Sequence, residues 1–378
     1  MITRRKFLTS TGATMASALV SNRLSAYASA PYFRRADSTQ EPRLRFGVIG
    51  INHAHINSMV GAVIRGGGEF TAFYAKEDDL AAAFAKDFPQ AKRVRSEDEI
   101  LEDKRISLVL SAAIACERAP IGIRAMKHGK DYLADKPGIT TLEQLDEVRQ
   151  VQRETGRIFS ILYSERLEHK ATVRAGELVR SGVIGKVVQT LGMGPHRMNI
   201  PSRPDWFFDK KYYGGIICDI GSHQFDQFLY FTGSTEARIL SSQIGNVRYT
   251  QYPEFEDFGD ATVTGNGGSG YIRVDWFTPD GLDTWGDGRL TILGTEGYIE
   301  LRKYTDIAGR KGGDHLFLVN DSKTEYVECQ HVELPFGRQF VDDILNRTET
   351  AMTQHHCFLA TELALLAQKN ATVVKFTK

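Results

Sequence analysis

The alternation of strand-like and helix-like segments between residues 43 and 137 limits this chain to few folds. The first segment, Arg43 to Ile51, reads RLRFGVIGI, a compact apolar run that suits a buried parallel strand. Further strands are predicted at 70–74, 106–113 and 131–134, and helices around 59–63, at 80–88 and at 119–128. Gly129 suits the end of a helix, and Pro137 stops the last strand. The alternation predicts a doubly wound parallel sheet of the α/β class.

Composition excludes several classes of protein. The 378 residues are 42% hydrophobic and 25% charged, which is typical of a globular protein of about two domains. Basic and acidic residues balance at 47 each, so no global field gathers nucleic acid or anionic lipid. No run approaches about 18 apolar residues, so we expect no stable membrane insertion. Four widely spaced cysteines argue against a zinc site or a dense disulfide framework, although one or two bridges remain open.

The first residues resemble a twin-arginine export signal. Residues 3–8 read TRRKFL, and a mildly apolar stretch and the sequence LSAYASA follow. A cleavage site between small residues is best placed after Ala28. Residues 1–28 are therefore predicted to be a signal peptide that exports a folded, cofactor-loaded protein to the periplasm, and residues 29–42 a linker. The alternative is a chance pair of arginines on a disordered tail.

The turn after the first strand only partly matches the dinucleotide fingerprint G-x-G-x-x-G. Gly50 occupies the first glycine position, but Asn52 and His55 replace the other two. The acidic residue expected after the second strand is also absent, since Tyr74 is followed by Ala75 and Lys76. Lys76 suits a 2′-phosphate or simply solvent. A doubly wound domain without a dinucleotide therefore remains an alternative.

A histidine pair lies in the same loop. His53 and His55 are two residues apart, and no third ligand is evident nearby in the sequence. We therefore predict that they line the loop or a pocket and that no metal binds.

Two downstream motifs are more specific. Residues 128–140 read HGKDYLADKPGIT, and residues 213–233 read YGGIICDIGSHQFDQFLYFTG. Together they resemble motifs of the Gfo/Idh/MocA oxidoreductase family, with Asp135 in place of a glutamate. The positions that match are Gly129, Lys130, Lys136, Pro137, Gly214, Gly215, Asp219, Gly221, His223 and Asp226. The stretch SGVIGKV at 181–187 and the predicted hairpin at 290–301 are also similar to the family.

The resemblance implies two domains and a cofactor. We expect a dinucleotide-binding domain over residues 43–160 and a substrate-binding, catalytic α+β domain over residues 161–378. The strand-like segments TVTGN and YIRVDWF fit an open, largely antiparallel sheet in the second domain. NAD or NADP is the expected cofactor, tightly bound, and the residues predicted to hold it are Gly50, Ile51, Asn52, His55, Tyr74 and Lys136.

Three residues are predicted to carry the chemistry. Asp219 and His223 are four residues apart, so they share a face if a helix runs there. A carboxylate beside an imidazole raises its basicity, and such a histidine accepts a hydroxyl proton as hydride leaves the same carbon. Lys136 precedes a proline at a strand end, where it is expected to orient the substrate oxygen. Asp226 is expected to have a supporting role.

The substrate is predicted to be a carbohydrate. Arg166, His169 and His223 are expected to hydrogen-bond its hydroxyls, and Trp206 and Trp285 to stack on a sugar face. The resulting prediction is an NAD(P)-dependent oxidoreductase acting on a secondary alcohol of a sugar, polyol or glycoside, and homo-oligomeric through its open sheet. One alternative is a glycosidase or lyase that oxidises its substrate transiently and recycles the cofactor. Another is a sugar-binding protein that has lost its cofactor.

Overall fold

A six-stranded parallel sheet forms first along the chain. The computed structural model describes residues 41–375, so the predicted signal peptide and most of the predicted linker lie outside the described residues. The strands are β1 (Leu44–Ile49), β2 (Gly68–Tyr74), β3 (Lys92–Arg93), β4 (Leu108–Ser111), β5 (Asp131–Asp135) and β6 (Phe159–Leu162). Their order in the sheet is β3-β2-β1-β4-β5-β6. β4, β5 and β6 are buried along their whole length, as expected for strands covered on both faces.

Helices connect these strands, which confirms the predicted doubly wound class. They are α1 (His55–Arg65), α2 (Asp78–Asp87), α3 (Asp98–Leu101), α4 (Ala115–Lys127) and α5 (Leu142–Thr155). α1 buries an apolar stripe that includes Met59, Val60 and Val63 against the sheet. Its first turn contains no acidic residue, and no side chain caps its N-terminus. The N–H groups of that turn contact the loop that follows β1, since Ile56 donates to the His53 carbonyl and Asn57 to the Ala54 carbonyl, both at 3.2 Å.

The second sheet is mixed and mostly antiparallel, which confirms the predicted α+β architecture. Its strands are β7 (Val187–Pro195), β8 (Ala237–Gly245), β9 (Phe258–Gly265), β10 (Ser269–Asp275), β11 (Arg289–Gly294), β12 (Gly297–Arg302), β13 (His315–Asn320), β14 (Lys323–Val327) and β15 (Thr372–Val373). The order is β14-β13-β12-β11-β7-β10-β9-β8-β15. The predicted hairpin at 290–301 is β11 and β12. β7 with β10, and β8 with β15, are the parallel pairs.

One face of this sheet is covered by helices. The helices of this half are α6 (Ser164–Leu167), α7 (Lys170–Arg180), α8 (Lys210–Tyr213), α9 (Ser222–Thr232), α10 (Phe336–Asn346) and α11 (Gln354–Lys369), and a π-helical turn, Ile217–Gly221, leads into α9. Of these, α7, α9 and α11 pack against the sheet, whereas α10 packs against α1. α9 crosses β7 closely, since a Cβ on Gly192 would lie 2.4 Å from the Gln224 side chain. Leu191, Tyr271 and Leu293 point from the opposite face and are exposed.

The two sheets share a large apolar core, because one cluster of buried side chains extends from β1 to α11.

Within residues 41–375, no helix combines the length and apolar character needed to cross a membrane. The four cysteines are unpaired thiols; they are Cys116, Cys218, Cys329 and Cys357.

Candidate active site

The loop after β1 is held at the carboxyl ends of neighbouring strands. Gly50 donates its N–H to the Tyr74 carbonyl (3.0 Å), and its own carbonyl accepts from Ala112 (3.0 Å). Its φ is +82°, and an added Cβ would lie 2.5 Å from the Ala113 Cβ. Glycine is therefore required here by conformation and by space. The loop leads into the uncapped start of α1, an arrangement that fits a pyrophosphate.

The two histidines of this loop bind one carboxylate. The Nδ1 atoms of His53 and His55 lie 3.1 and 2.9 Å from the two oxygens of Asp135, at the end of β5. Asp135 is buried, and although burial opposes its ionisation, His55 and Arg118 hold its pKa well below the ordinary value. The His55 side chain therefore contacts the end of β5 and does not occupy the cofactor-type loop. Burial and the neighbouring His55 lower the pKa of His53 to about 4.

The same cluster has the composition of a metal site. The ligand atoms of His53, His55 and Asp135 lie within 4.8 Å of one another. However, the Arg118 guanidinium lies 3.2 Å from the same carboxylate, and this cation disfavours a second one. We interpret the cluster as a hydrogen-bonded network, and the absence of a bound metal stays a prediction.

Lys136 extends the network into the second half of the chain. It follows Asp135 directly, and its ammonium donates to the Asp219 carboxylate at 2.8 Å. Both side chains are buried. Although burial opposes ionisation of Asp219, Lys136 lowers its pKa below the ordinary value. A continuous series of contacts therefore runs from the cofactor-type loop to the residues of the second motif.

The predicted Asp219–His223 pair does not form. Asp219 lies in the π-helical turn, whereas His223 lies in the first turn of α9. In a π-helical turn the hydrogen-bonded residues are five positions apart instead of four, so the four-residue spacing no longer aligns the two side chains. The Asp219 carboxylate is directed to Lys136 instead, and the expectation that it orients His223 is wrong.

His223 is nevertheless part of the same site. It is 3% exposed, and its ring packs edge-on against Tyr163 at 6.3 Å. Burial lowers its pKa to about 4, with Lys136, His55 and Lys303 acting in the same direction and Glu165 opposing them. The expectation that a carboxylate raises this pKa above its usual range is therefore also wrong, because desolvation outweighs the carboxylate. His223 is neutral at physiological pH.

Sequence reasoning missed three residues of the site. His196, at the end of β7, is within electrostatic reach of Lys136, Glu165 and Asp219, and burial lowers its pKa to about 3. Glu165 and Lys303 form a buried ion pair at 2.6 Å behind His223. In the sequence, the only indication for Glu165 was a glutamate next to an arginine in YSERLEH. Lys303 follows β12 and carried no signal, because a lysine after a strand is usually exposed.

Arg166 has a different environment from the one expected. Its guanidinium forms a bidentate pair with Asp226 at 2.7 and 2.8 Å, and also stacks over the Tyr230 ring at 4.9 Å. His356 donates to the same carboxylate at 2.8 Å. The buried Asp226 thus ties α6, α9 and α11 together, which is the supporting role expected of it. We do not place Arg166 at the substrate, since its Nε and Nη2 atoms are already bound to the buried Asp226.

The aromatic candidates separate into two groups. Trp285 packs against His196 (ring centroids 4.4 Å) and Tyr304 (4.6 Å), and Tyr304 contacts His169 (4.9 Å). These half-buried rings form a continuous surface that begins at His196, beside the site. Trp206 instead packs edge-on against Phe207 and the core. His169, which also approaches Asp314 at 3.3 Å, therefore lies near the predicted sugar surface, and Trp206 lies outside this set of rings.

The remaining cofactor candidates lie around the end of β2. Ile51 is buried, and Asn52 donates to Glu77 at 2.9 Å. Tyr74 lines a surface cavity with a markedly basic wall. The other side chains around this cavity are Ala75, Lys76, Asp78, Arg93, Val94 and Arg95.

Comparison with known proteins identifies the family. Residues 44–163 match the model of an oxidoreductase family with an NAD-binding Rossmann fold, and residues 172–300 match the GFO/IDH/MocA C-terminal domain. The chain belongs to the Gfo/Idh/MocA oxidoreductase family. The resemblance seen in the motifs around Lys136 and Asp219 is thereby confirmed.

Several known proteins are similar to this chain over most of its length. The scyllo-inositol 2-dehydrogenase (NAD(+)) of Bacillus subtilis is 25% identical over 284 residues, which cover 72% of this chain and 78% of that protein. A crystal structure from Erwinia carotovora atroseptica SCRI1043, designated an oxidoreductase, is 47% identical with a TM-score of 0.85 and covers 88% of this chain and 100% of its own. A 3-ketoreductase from Actinomadura kijaniata, solved with NADP and TDP-benzene, shares the fold at 19% identity and a TM-score of 0.69, covering 88% and 99%.

Proposed function

We propose that this protein is an NAD(P)-dependent oxidoreductase that interconverts a secondary alcohol and a ketone on a sugar or polyol. The observation that carries the proposal is the continuous network that joins Gly50's loop, through Asp135, to Lys136 and Asp219. Proton-transfer groups therefore lie beside a loop shaped for a dinucleotide. The family and its sugar and polyol dehydrogenase relatives support this substrate class.

The residues present fit the cofactor. Gly50 leaves room where a Cβ would collide with Ala113, and the uncapped N-terminus of α1 favours an anion. The bound nicotinamide would supply the hydride acceptor in oxidation and the hydride donor in reduction. Lys136 would hold the substrate oxygen with its ammonium, whose position Asp219 fixes. Neutral His223 would accept the hydroxyl proton in oxidation and return it in reduction.

The rings of Trp285, Tyr304, His196 and His169 are the proposed carbohydrate surface. The rings follow one another outward from His196. A sugar ring stacked on Trp285 would therefore be the part of the substrate next to the reacting carbon. The test is turnover of a panel of sugars, polyols and glycosides with the purified holoenzyme. A net change in absorbance of reduced nicotinamide supports oxidoreduction. Glycoside cleavage without such a change would instead indicate transient oxidation with a recycled cofactor.

The basic cavity at the end of β2 favours NADP over NAD. A dinucleotide domain selective for NAD places an acidic residue there to bind the ribose, whereas NADP requires a cation for the 2′-phosphate. Here Lys76, Arg93 and Arg95 line the cavity. Glu77 is directed to Asn52, and Asp78 is paired with Arg93.

Cofactor titration by fluorescence tests this preference. Arg93→Ala should weaken NADP binding at least tenfold and leave NAD binding nearly unchanged. The matched control is Lys92→Ala, since Lys92 is the exposed neighbour on β3 and lies outside the cavity. Equal losses for both cofactors would contradict the assignment of the 2′-phosphate site.

Two further expectations remain proposals. The arginine pair near the N-terminus supports export to the periplasm by the twin-arginine route. The exposed Leu191, Tyr271, Leu293 and Tyr298 share the uncovered face of the second sheet and support a homo-oligomer through it. Tyr298→Arg should then reduce the mass measured by light scattering to that of the monomer, whereas Leu345→Arg, at an exposed apolar position on α10 away from this face, should not.

A further inference from the structure

Only one of the two oxygens of the Glu165 carboxylate has hydrogen-bond partners. Its Oε2 atom accepts from Lys303 at 2.6 Å, from Gln224 at 2.9 Å and from Gln227 at 3.3 Å. Its Oε1 atom is buried and has no hydrogen-bond partner. Buried carboxylate oxygens are almost always hydrogen-bonded, so this atom requires an explanation.

Two neighbouring atoms have the same property. His223 Nδ1 and Gln227 Oε1 are also buried without a hydrogen-bond partner. Gln227 bridges the other two residues, because its Nε2 donates to the His223 carbonyl at 2.9 Å and to Glu165 Oε2. The three side chains therefore belong to one set of contacts around α9. The oxygens of Glu165 and Gln227 can only accept, so one buried water shared by the three groups would donate a hydrogen to each oxygen and accept from Nδ1–H, which makes the three hydrogen bonds typical of such a water.

We propose that Glu165 is the positioning residue of His223 and acts through one buried water that holds the proton on Nδ1. The lone pair of the neutral ring then lies on Nε2, the atom that would accept the substrate proton. This assignment rests on the proposed function for the role of Nε2, but the position of the ring proton can be measured without turnover. It replaces Asp219, whose carboxylate is engaged by Lys136.

Lys303 limits the effect of Glu165. The charged groups that influence His223 are Glu165 on α6, Lys303 after β12, Lys136 after β5 and His55 on α1. Glu165 alone among these stabilises the protonated ring. Because the Lys303 ammonium lies 2.6 Å from Glu165, it offsets much of the carboxylate's field. His223 therefore stays neutral, as a general base must, while its proton position is still fixed.

The first test is the tautomer of His223 in the free protein. Long-range ¹H–¹⁵N spectra of histidine-labelled protein distinguish Nδ1–H from Nε2–H rings. The His223→Gln variant identifies the signal among the 10 histidines. We expect Nδ1–H for His223 near pH 7, and an Nε2–H ring would overturn the proposal. This measurement is independent of substrate, so it separates failure of the inference from failure of the proposed function.

The second test removes the buried charges together. Glu165→Gln/Lys303→Met avoids leaving either charge alone in the core, which would destabilise the fold. We expect a mixed or reversed His223 tautomer, a fall in kcat of about tenfold and an unchanged KM. The control is Arg149→Met/Glu362→Gln, which removes the pair between α5 and α11 and should change none of these. A wild-type tautomer in the Glu165→Gln/Lys303→Met variant would overturn the proposal.

Lys303→Gln alone gives the opposite sign. Its amide can still donate to Glu165, which also keeps its bonds from Gln224 and Gln227, while the offsetting cation is removed, so the His223 ring should titrate at higher pH. An ascending limb should then appear in the pH–rate profile of oxidation. The pKa obtained from that limb should equal the pKa of His223 measured by NMR titration. A titration identical to wild type would show that Glu165 does not act on the ring.

Discussion

Separating Lys136 from Asp219 should destabilise the protein more than removing both. Their side chains are only 6% and 12% exposed, so Lys136→Met leaves a buried carboxylate without its cation. Breaking a buried pair in this way typically costs about 3–5 kcal/mol. For a chain of 378 residues, this corresponds to a fall in Tm of about 4–6 °C. Asp219→Asn should cost a similar amount, because it leaves the ammonium unpaired.

The double variant Lys136→Met/Asp219→Asn distinguishes a coupled pair from two independent residues. Its Tm should be higher than that of either single variant, since neither charge is left alone in the core. Differential scanning calorimetry at pH 7 measures the three values. Arg105→Met, which removes the exposed partner of an ion pair at the surface, should leave Tm within error. A Tm loss in the double variant equal to the sum of the two single losses would refute the coupling.

The same cycle has a pH dependence of known sign. The pKa of Asp219 is lowered in the folded protein, although burial opposes the shift, because Lys136 stabilises the carboxylate. Its contribution is therefore fully present above the pKa of an unfolded aspartate, about 3.9, and is lost as pH falls through the folded value. The difference in Tm between wild type and the double variant should accordingly shrink below pH 4. Activity should be lost in all three variants, because each removes the positioned ammonium or its anchor.

Three further predictions concern proton transfer, the cofactor and export. With a pKa of about 4 for His223, the oxidation rate should be flat between pH 6 and 8, and an ascending limb near pH 6.5 would contradict this expectation. His223→Ala should lower kcat by about 10²–10⁴-fold. Gly50→Val should abolish retention of nicotinamide, measured by mass spectrometry after denaturation, while near-normal retention would exclude the loop as the phosphate site. Replacing Arg4 and Arg5 by lysine should block appearance in the periplasm, and unchanged fractionation would reject the twin-arginine assignment.

Much of the fold was predictable because its signals are local. The apolar run at β1 and the alternation that follows specify a parallel sheet, and the structure has its strands within a few residues of the predicted ones. Two-residue β3 was not predicted, since Lys92 and Arg93 are exposed and carry no apolar pattern. The boundary between domains at residue 160 stays a prediction.

The sequence indicated which residues belong to the candidate site better than it indicated which of them contact one another. Lys136 and Asp219 are in direct contact, and Lys136 acts electrostatically on His223, although the catalytic roles of the three residues stay predictions. The predicted pairing of Asp219 with His223 was wrong because a π-helical turn has no signature in the spacing of residues. Glu165 and Lys303 were missed because their contact joins positions 138 residues apart, which a single sequence does not reveal.

The contact of His55 with Asp135 has a consequence for how such chains diverge. These residues occupy two of the positions at which this sequence departs from its family's motifs, and the structure places their side chains 2.9 Å apart. A glycine at position 55 would leave Asp135 short of a partner, and a longer glutamate at position 135 would crowd the ring. Each substitution alone is unfavourable, so the two sites are expected to change together along a lineage. A relative with histidine in this loop should therefore carry aspartate before its Lys-Pro pair, and an alignment of such relatives would show covariation between the two columns.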